Sequence, residues 1–324
     1  MKTALVALGG NSLLRPEDRG TVEEQLEHMR TTCSLLADMV EEGYELVLTH
    51  GNGPQVGNIL LQNDIASGTV PRMPLDICVA QTQGQIGYLF QRTLKNELIK
   101  RGMKRDVCSL ITQVVVHEND PAFENPTKFV GPYYSKEEAE RLKKEKDWKM
   151  GETADKKYRR IVPSPEPKKI IESPMIKELI FSGDKGYIVI AAGGGGVPVI
   201  EKDGDLRGIE GVIDKDLASA VLAEEIGETF YIMLTRPEQV YLNFGKEEQE
   251  AISEMTISEA KRYYEEGQFP PGSMGPKIQA SIRFLENGGE RVLITSPECL
   301  REALKGDNGT YIYSDRYEKR SHKG

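Results

Sequence analysis

Short apolar runs alternate along this chain with long amphipathic ones, the rhythm of strands that pass between helices. TALVAL (residues 3–8), ELVLT (45–49), YIVIAA (187–192) and TFYIMLT (229–235) are nearly unbroken apolar runs, as in strands buried on both faces of a parallel sheet. VCSLITQVVVH (107–117) is expected to be one further buried strand, with shorter ones at 240–244, 291–296 and 310–313. Residues 21–43 repeat with the helical period, carry a Thr21/Glu24 capping box and stop at Gly43. Helices are also expected over 55–63, 78–100, 170–182, from Leu217 onward, and over 258–266 and 278–287. The alternation defines an α/β protein.

Residues 118–168 break the rhythm. ENDPAFENPTKFVGP (118–132) is rich in Pro and Asn, and 135–149 reads as a highly charged helix. The stretch is expected to be an inserted subdomain or lid, with Lys128 on a loop stiffened by prolines. The Arg159-Arg160 pair reads as a solvated charge cluster, and the tail 315–324 is polar.

Three of the expected strands run into glycine turns: Gly9-Gly10-Asn11-Ser12, His50-Gly51-Asn52-Gly53-Pro54, and the run Gly193 to Gly196. Tightly flanked by strands and free of serine padding, the last reads as a turn whose N–H groups face an anion rather than as a floppy loop. In open parallel sheets, ligands bind where strand carboxyl ends meet helix N-termini, and all three turns fall there. His50 beside its turn reads as structural, and Gln81, Gln83 and Gln85 as a polar helix face. Lys215, between Asp214 and Asp216 at the mouth of a helix, reads as a phosphate-binding charge held by carboxylates. Lys277 follows Ser273 and Pro276 in a first helical turn, against the dipole, which suggests an anion nearby; a solvent-directed lysine is the alternative.

With 324 residues and 38% hydrophobic content the chain can bury a large core. A net charge of −9 and a pI near 5.3 argue against nucleic acid as a partner. Cys33, Cys78, Cys108 and Cys299 lie far apart without a CxxC, so no zinc pattern exists and a reducing compartment is expected. No apolar run reaches membrane length and the start is too short for a signal peptide, so a cytoplasmic protein is expected. P-loop, GxGxxG, GxSxG, HExxH and EF-hand patterns are absent. Glycine turns plus Lys128, Lys215 and Lys277 remain. Phosphoryl transfer asks for little more, because its catalyst mainly positions and neutralises charge.

These residues resemble the carbamate kinases of the amino-acid-kinase superfamily. The matching segments are VALGGN (6–11), THGNGPQVG (49–57), NPTKFVGP (125–132), YRRIVPSPEP (158–167), GGGGVPV (193–199), VIDKDLAS (212–219) and GSMGPK (272–277). The resemblance implies a three-layer αβα sandwich on a mainly parallel, about eight-stranded sheet. An acceptor lobe would span about 1–210, a nucleotide lobe about 211–314, and the lid about 118–168. It implies reversible transfer between ATP and carbamate, giving ADP and carbamoyl phosphate, used to make ATP in arginine or related nitrogen catabolism. It implies a homodimer, and magnesium arriving with the nucleotide. By motif, Gly9, Gly10 and Asn11 would hold the transferred phosphoryl. Gly51, Asn52 and Gly53, helped by Gly193, Gly194 and Gly195, would hold carbamate. Lys215 and Lys277 would span the phosphates, Lys128 would reach in from the lid, and Asp214 would orient the lysines. Thr235, Tyr241, Ser273 and Met274 would line the nucleotide side.

Two segments depart from the family pattern. Arg236-Pro237 follows Leu234-Thr235 where an acidic residue is usual, and residues 149–157 replace a usual Lys-Glu-Asp run and Gly-Arg-Gly. They leave two alternatives: a regulatory nucleotide-binding protein that has lost turnover, or a kinase for another small carboxylate.

Overall fold

Along the central strand Lys2–Leu8, successive side chains enter opposite cores. Ala4, Val6 and Leu8 pack with Met29, Cys33 and Leu36 of the helix Val22–Glu41 and with Ile86, Phe90 and Leu94 of the helix Leu75–Lys100. Leu5 and Ala7 pack on the other side with Ala218 and Val221 of the helix Lys215–Ile226 and with Ile278 and Phe284 of the helix Met274–Glu286. Continuous hydrophobic strands between two helical layers make a three-layer α/β sandwich. The computed structural model describes residues 2–9, 13–14, 18–146, 148–153, 156–182, 186–270 and 274–315.

The main sheet has eight strands. From edge to edge they are Glu254–Thr256, Thr310–Tyr313, Arg291–Thr295, Phe230–Leu234, Lys2–Leu8, Tyr44–His50, Ile188–Ile190 and Val107–Ser109. Every neighbouring pair is parallel except Arg291–Thr295 with Thr310–Tyr313. Tyr44–His50, Phe230–Leu234 and Lys2–Leu8 therefore end on one rim, and the turns at Gly9 and Gly51 share it.

The expected single strand over 107–117 is two strands in two sheets. Val107–Ser109 closes the edge of the main sheet, whereas Gln113–Val116 pairs with Val197–Lys202 and Pro167–Ile170 in a separate four-stranded sheet completed by Asp205–Gly208. Gln83 fixes the crossover. Its amide donates to the Thr112 carbonyl (3.1 Å) and its oxygen accepts the Thr112 N–H (2.8 Å), so it is a buried clamp and not polar face filler. The helix expected over 170–182 is Ser173–Ile180, preceded by the strand Pro167–Ile170.

Between the stem strands Gln113–Val116 and Pro167–Ile170 the chain forms a three-stranded antiparallel sheet, Lys128–Tyr134, Tyr158–Val162 and Met150–Glu152, with the helix Lys136–Lys146. Lys128 thus starts a strand; it is not on a proline-stiffened loop. The sheet rests on the helix Gly53–Ala66 through two glycines: a Cβ placed on Gly57 would lie 3.2 Å from the Gly131 Cα.

Candidate active site

The helix Lys215–Ile226 begins at the rim, and Asp214 caps it: its Oδ1 accepts the Asp216 N–H at 2.9 Å. Such a cap is worth about 1 kcal/mol. Asp214 Oδ2 meanwhile accepts from Lys128 Nζ at 2.9 Å, which joins the lid sheet to the helix mouth. Asp214 does not orient the other two lysines. Asp216 does, one residue further in. One of its oxygens takes the Lys215 ammonium and the other takes Lys277 Nζ at 2.8 Å. The reason is geometric: the capping residue turns its carboxylate back onto the first turn, leaving the next one free to reach across to the helix Met274–Glu286.

Lys215, Asp216 and Lys277 expose only 14, 6 and 10% of their side chains. Burial works against the Asp216 charge, and two adjacent ammonium groups overcome it, holding the carboxyl well below its usual range. Burial, helped by the Lys277 charge, pushes Lys215 below the ordinary lysine value despite Asp216. Lys277 meets the same burial, yet Asp216 holds it above that value. Two cations share one anion, so the cluster keeps a net positive charge in a site of low dielectric, suited to a phosphoryl group. Sequence pattern signalled both lysines but not the bridge, since nothing at Asp216 shows that residue 277 lies 2.8 Å away.

The glycine turns divide by where their N–H groups go. Gly9 N–H bonds the Leu234 carbonyl (2.9 Å) and Gly51 N–H that of Leu8 (3.1 Å). Gly195 N–H bonds Ala192 O at 3.0 Å. These three amides are bonded within the fold, so their N–H groups are not directed at an anion here. At Gly9 a Cβ would strike Leu234 O at 2.6 Å, so the residue is glycine for strand packing. Gly53 heads the helix Gly53–Ala66, whose cap residue Asn52 makes no side-chain cap bond and instead donates to Thr82 Oγ1 at 2.9 Å. Gly193 and Gly194 head a single 3-10 turn. Such positions leave N–H groups without a helical partner, ready for an anion. Gly10, Asn11 and Ser273 lie outside the described residues.

The turn is held under strain. Ala192 sits at φ 48 and Gly194 at φ 67, and a Cβ on Gly194 would lie 2.2 Å from Asn52 Nδ2. A left-handed alanine costs about 1 kcal/mol or more and persists only where its neighbours fix it. Thr112 Oγ1 does so, accepting the Ala192 N–H at 3.0 Å.

A cavity of about 560 Å³ opens beyond Lys277. Thr235, Tyr241 and Met274 line it, joined by Phe244 and Arg236. The Tyr241 and Phe244 rings stand 6.1 Å apart and tilted by 50°, an apolar end for a base opposite a cationic end for phosphates. Phe244 escaped the sequence reading because it follows the strand Val240–Leu242 in a turn with no motif of its own. Among the described residues no three His, Cys, Asp or Glu side chains cluster to hold a metal. Asp214 and Asp216 already pair with lysines, so the donor set suits a metal carried in by phosphates.

Residues 2–296 match the amino acid kinase family. A carbamate kinase of Thermococcus kodakarensis is 50% identical over 96% of this chain and 99% of its own length. One of Pyrococcus furiosus is 48% identical over 96% and 99%. The solved structure of a Giardia lamblia carbamate kinase bound to AMP-PNP superposes with a TM-score of 0.90 at 37% identity, covering 97% of this chain and 99% of that one. The chain belongs to the amino acid kinase family. Within it, the chain groups with the carbamate kinases, and its activity is phosphoryl transfer with carbamate as acceptor.

Proposed function

We propose that the rim works as one phosphoryl-transfer site, with ADP or ATP in the cavity beside Thr235, Tyr241 and Met274 and carbamate or carbamoyl phosphate against Gly53, Gly193 and Gly194. The observation that carries this reading is the convergence of three lysines from three elements onto two neighbouring carboxylates. Lys215 and Lys277 neutralise the phosphoryl oxygens as charge spreads over them, and Lys128 closes the acceptor side. The acceptor is already anionic, so no general base is required, in keeping with a neutral His50. The nucleotide enters as its magnesium complex. Residues up to about 210 form the acceptor lobe, with 118–168 as its lid, and 211–314 the nucleotide lobe.

The working direction is ATP formation from carbamoyl phosphate, a mixed anhydride that transfers readily; a role in arginine or related nitrogen catabolism rests on family resemblance. The protein works as a homodimer in the cytoplasm, a setting consistent with four free cysteines. The test is a coupled assay for ATP from ADP and carbamoyl phosphate, run beside acetyl phosphate. Nucleotide binding without ATP formation would leave a binding protein; preference for acetyl phosphate would change the acceptor.

A further inference from the structure

His50 ends the strand Tyr44–His50 between the two acceptor-side turns and is almost completely buried. Its Nδ1 lies 2.9 Å from the Gly51 carbonyl. A carbonyl oxygen only accepts, so Nδ1 carries the proton and donates. Burial, with the Lys215 charge adding to it, pushes the ring down to about 4, so it is neutral at physiological pH. A neutral ring protonated at Nδ1 has a bare lone pair at Nε2. Among the described residues nothing donates to that nitrogen. It faces the head of the glycine turn: a Cβ on Gly193 would lie 2.5 Å from it. Phe90, stacked at 6.3 Å, backs the ring.

Every other feature of this cradle attracts an anion. The N–H groups at Gly53, Gly193 and Gly194 and the Lys215 ammonium all suit carboxylate or phosphoryl oxygens. A fixed acceptor among them does nothing for an oxygen; it fits an N–H. Gln55 Oε1, an unpaired acceptor at the head of the helix Gly53–Ala66, is sealed from solvent, and its amide donates to Gln25 at 3.0 Å.

We propose that His50 Nε2 accepts a hydrogen bond from the amino group of carbamate or carbamoyl phosphate and so distinguishes it from the isosteric acetyl group. The inference rests on the acceptor-side assignment above. A methyl in place of the NH2 leaves the buried lone pair unsatisfied, and sites built around one such bond reject the analogue lacking it.

The test compares kcat/KM for carbamoyl phosphate and acetyl phosphate, with ADP, in wild type, His50→Leu and His50→Gln. In His50→Leu the carbamoyl phosphate value is expected to fall about 10- to 100-fold while that for acetyl phosphate holds or rises, collapsing the ratio. Gln carries an acceptor to a similar reach and is expected to restore part of it, with ADP affinity unchanged in both. An equal fall with both substrates, or an unchanged ratio, overturns the proposal while leaving the kinase assignment intact. Absence of carbamoyl phosphate turnover in wild type would overturn the assignment instead. Should the variants fail to fold, the wild-type His50 ring nitrogens decide by 15N NMR. Carbamoyl phosphate is expected to shift Nε2 and acetyl phosphate to leave it; the same response to both overturns the proposal.

Discussion

Two lysine arrangements meet at the rim, and they are built differently. Lys215 and Lys277 sit on helices of the main body, buried, and share one carboxylate. Lys128 comes from a separate small sheet, is 36% exposed, and pairs with Asp214 alone. The buried pair is fixed before substrate arrives, because an ammonium there cannot relax into water. The lid lysine rides on a sheet that meets the main body along a seam: through Val130 and Val162, buried against Val56, Leu60 and Leu75, through Arg160 with Glu210 (3.1 Å) and Lys146 with Asp64 (3.1 Å), and through the Gly57–Gly131 approach. On the proposed reading, the buried cluster supplies charge preorganised for the transition state, and the lid supplies charge that can come and go with the acceptor.

Removing one member of the buried cluster should have the largest effect. Lys215→Ala or Lys277→Ala is expected to lower kcat by at least about 100-fold, the scale of one lost transition-state contact. Asp216→Asn leaves two buried ammonium groups facing each other and should also destabilise the fold, by about 3 kcal/mol, measured by denaturant titration. A near-normal rate in either lysine variant would contradict the site.

The same cluster sets a pH profile. Lys215 must be charged to act, and its folded value lies below the ordinary 10.5. Rate should therefore fall on the alkaline side before pH 10.5, and Lys215→Arg should move that limb upward. Stability behaves differently at each end. The folded state disfavours charged Lys215, so that cost is relieved as pH rises through its lowered value. Asp216 is depressed, so its contribution is present above the unfolded value of 3.8 and is lost as pH falls below it. An alkaline limb at the ordinary lysine value would show that Lys215 is not buried during turnover.

Lys128→Ala should matter less. Loss of a part-exposed charged contact is expected to cut kcat/KM for carbamoyl phosphate about tenfold to a hundredfold, with ADP affinity unchanged. A matching loss of ADP affinity would place Lys128 on the nucleotide side and dissolve the contrast.

The buried half of this contrast was the more legible in sequence. Period and the Thr21/Glu24 box located the helix Val22–Glu41, and the helix expected over 258–266 forms as Ile257–Glu265, closed by a Thr256/Glu259 capping box that the sequence reading did not identify. Lys277 stood out because a lysine at a helix start opposes the dipole, and Lys215 because it lies between two aspartates beside a glycine turn. What stayed hidden was pairwise and long-range. Asp216 as the bridge depends on where the chain returns 61 residues later. The split of 107–117 into two sheets depends on a clamp from Gln83, 29 residues earlier. Gly9 and Gly51 looked like anion donors because a glycine beside a strand reads the same whether its N–H is free or bound to a neighbouring strand. Short edge strands such as Glu254–Thr256 are too brief to show a period.

The smallest expected effect is the one that isolates the seam. Gly57 lies inside the helix Gly53–Ala66, where alanine is intrinsically better by about 0.5–1 kcal/mol. Yet its Cβ would stand 3.2 Å from Gly131 Cα, which is backbone and can yield only by moving the strand that carries Lys128. Gly131 is itself held at φ 76, so the strand has little freedom to adjust there. Gly57→Ala should therefore separate two quantities that usually fall together. The melting temperature should hold or rise, because the helix gains. The kcat/KM for carbamoyl phosphate should drop about fivefold, the equivalent of roughly 1 kcal/mol against lid closure. Trp148, the single tryptophan, stacks with Arg160 inside the lid at 4.7 Å and reaches Arg72 of the main body at 5.7 Å across the same seam, so its fluorescence should report the loosened lid in the same variant. Unchanged turnover with unchanged fluorescence would mean that the lid sheet does not press on this helix when the enzyme works.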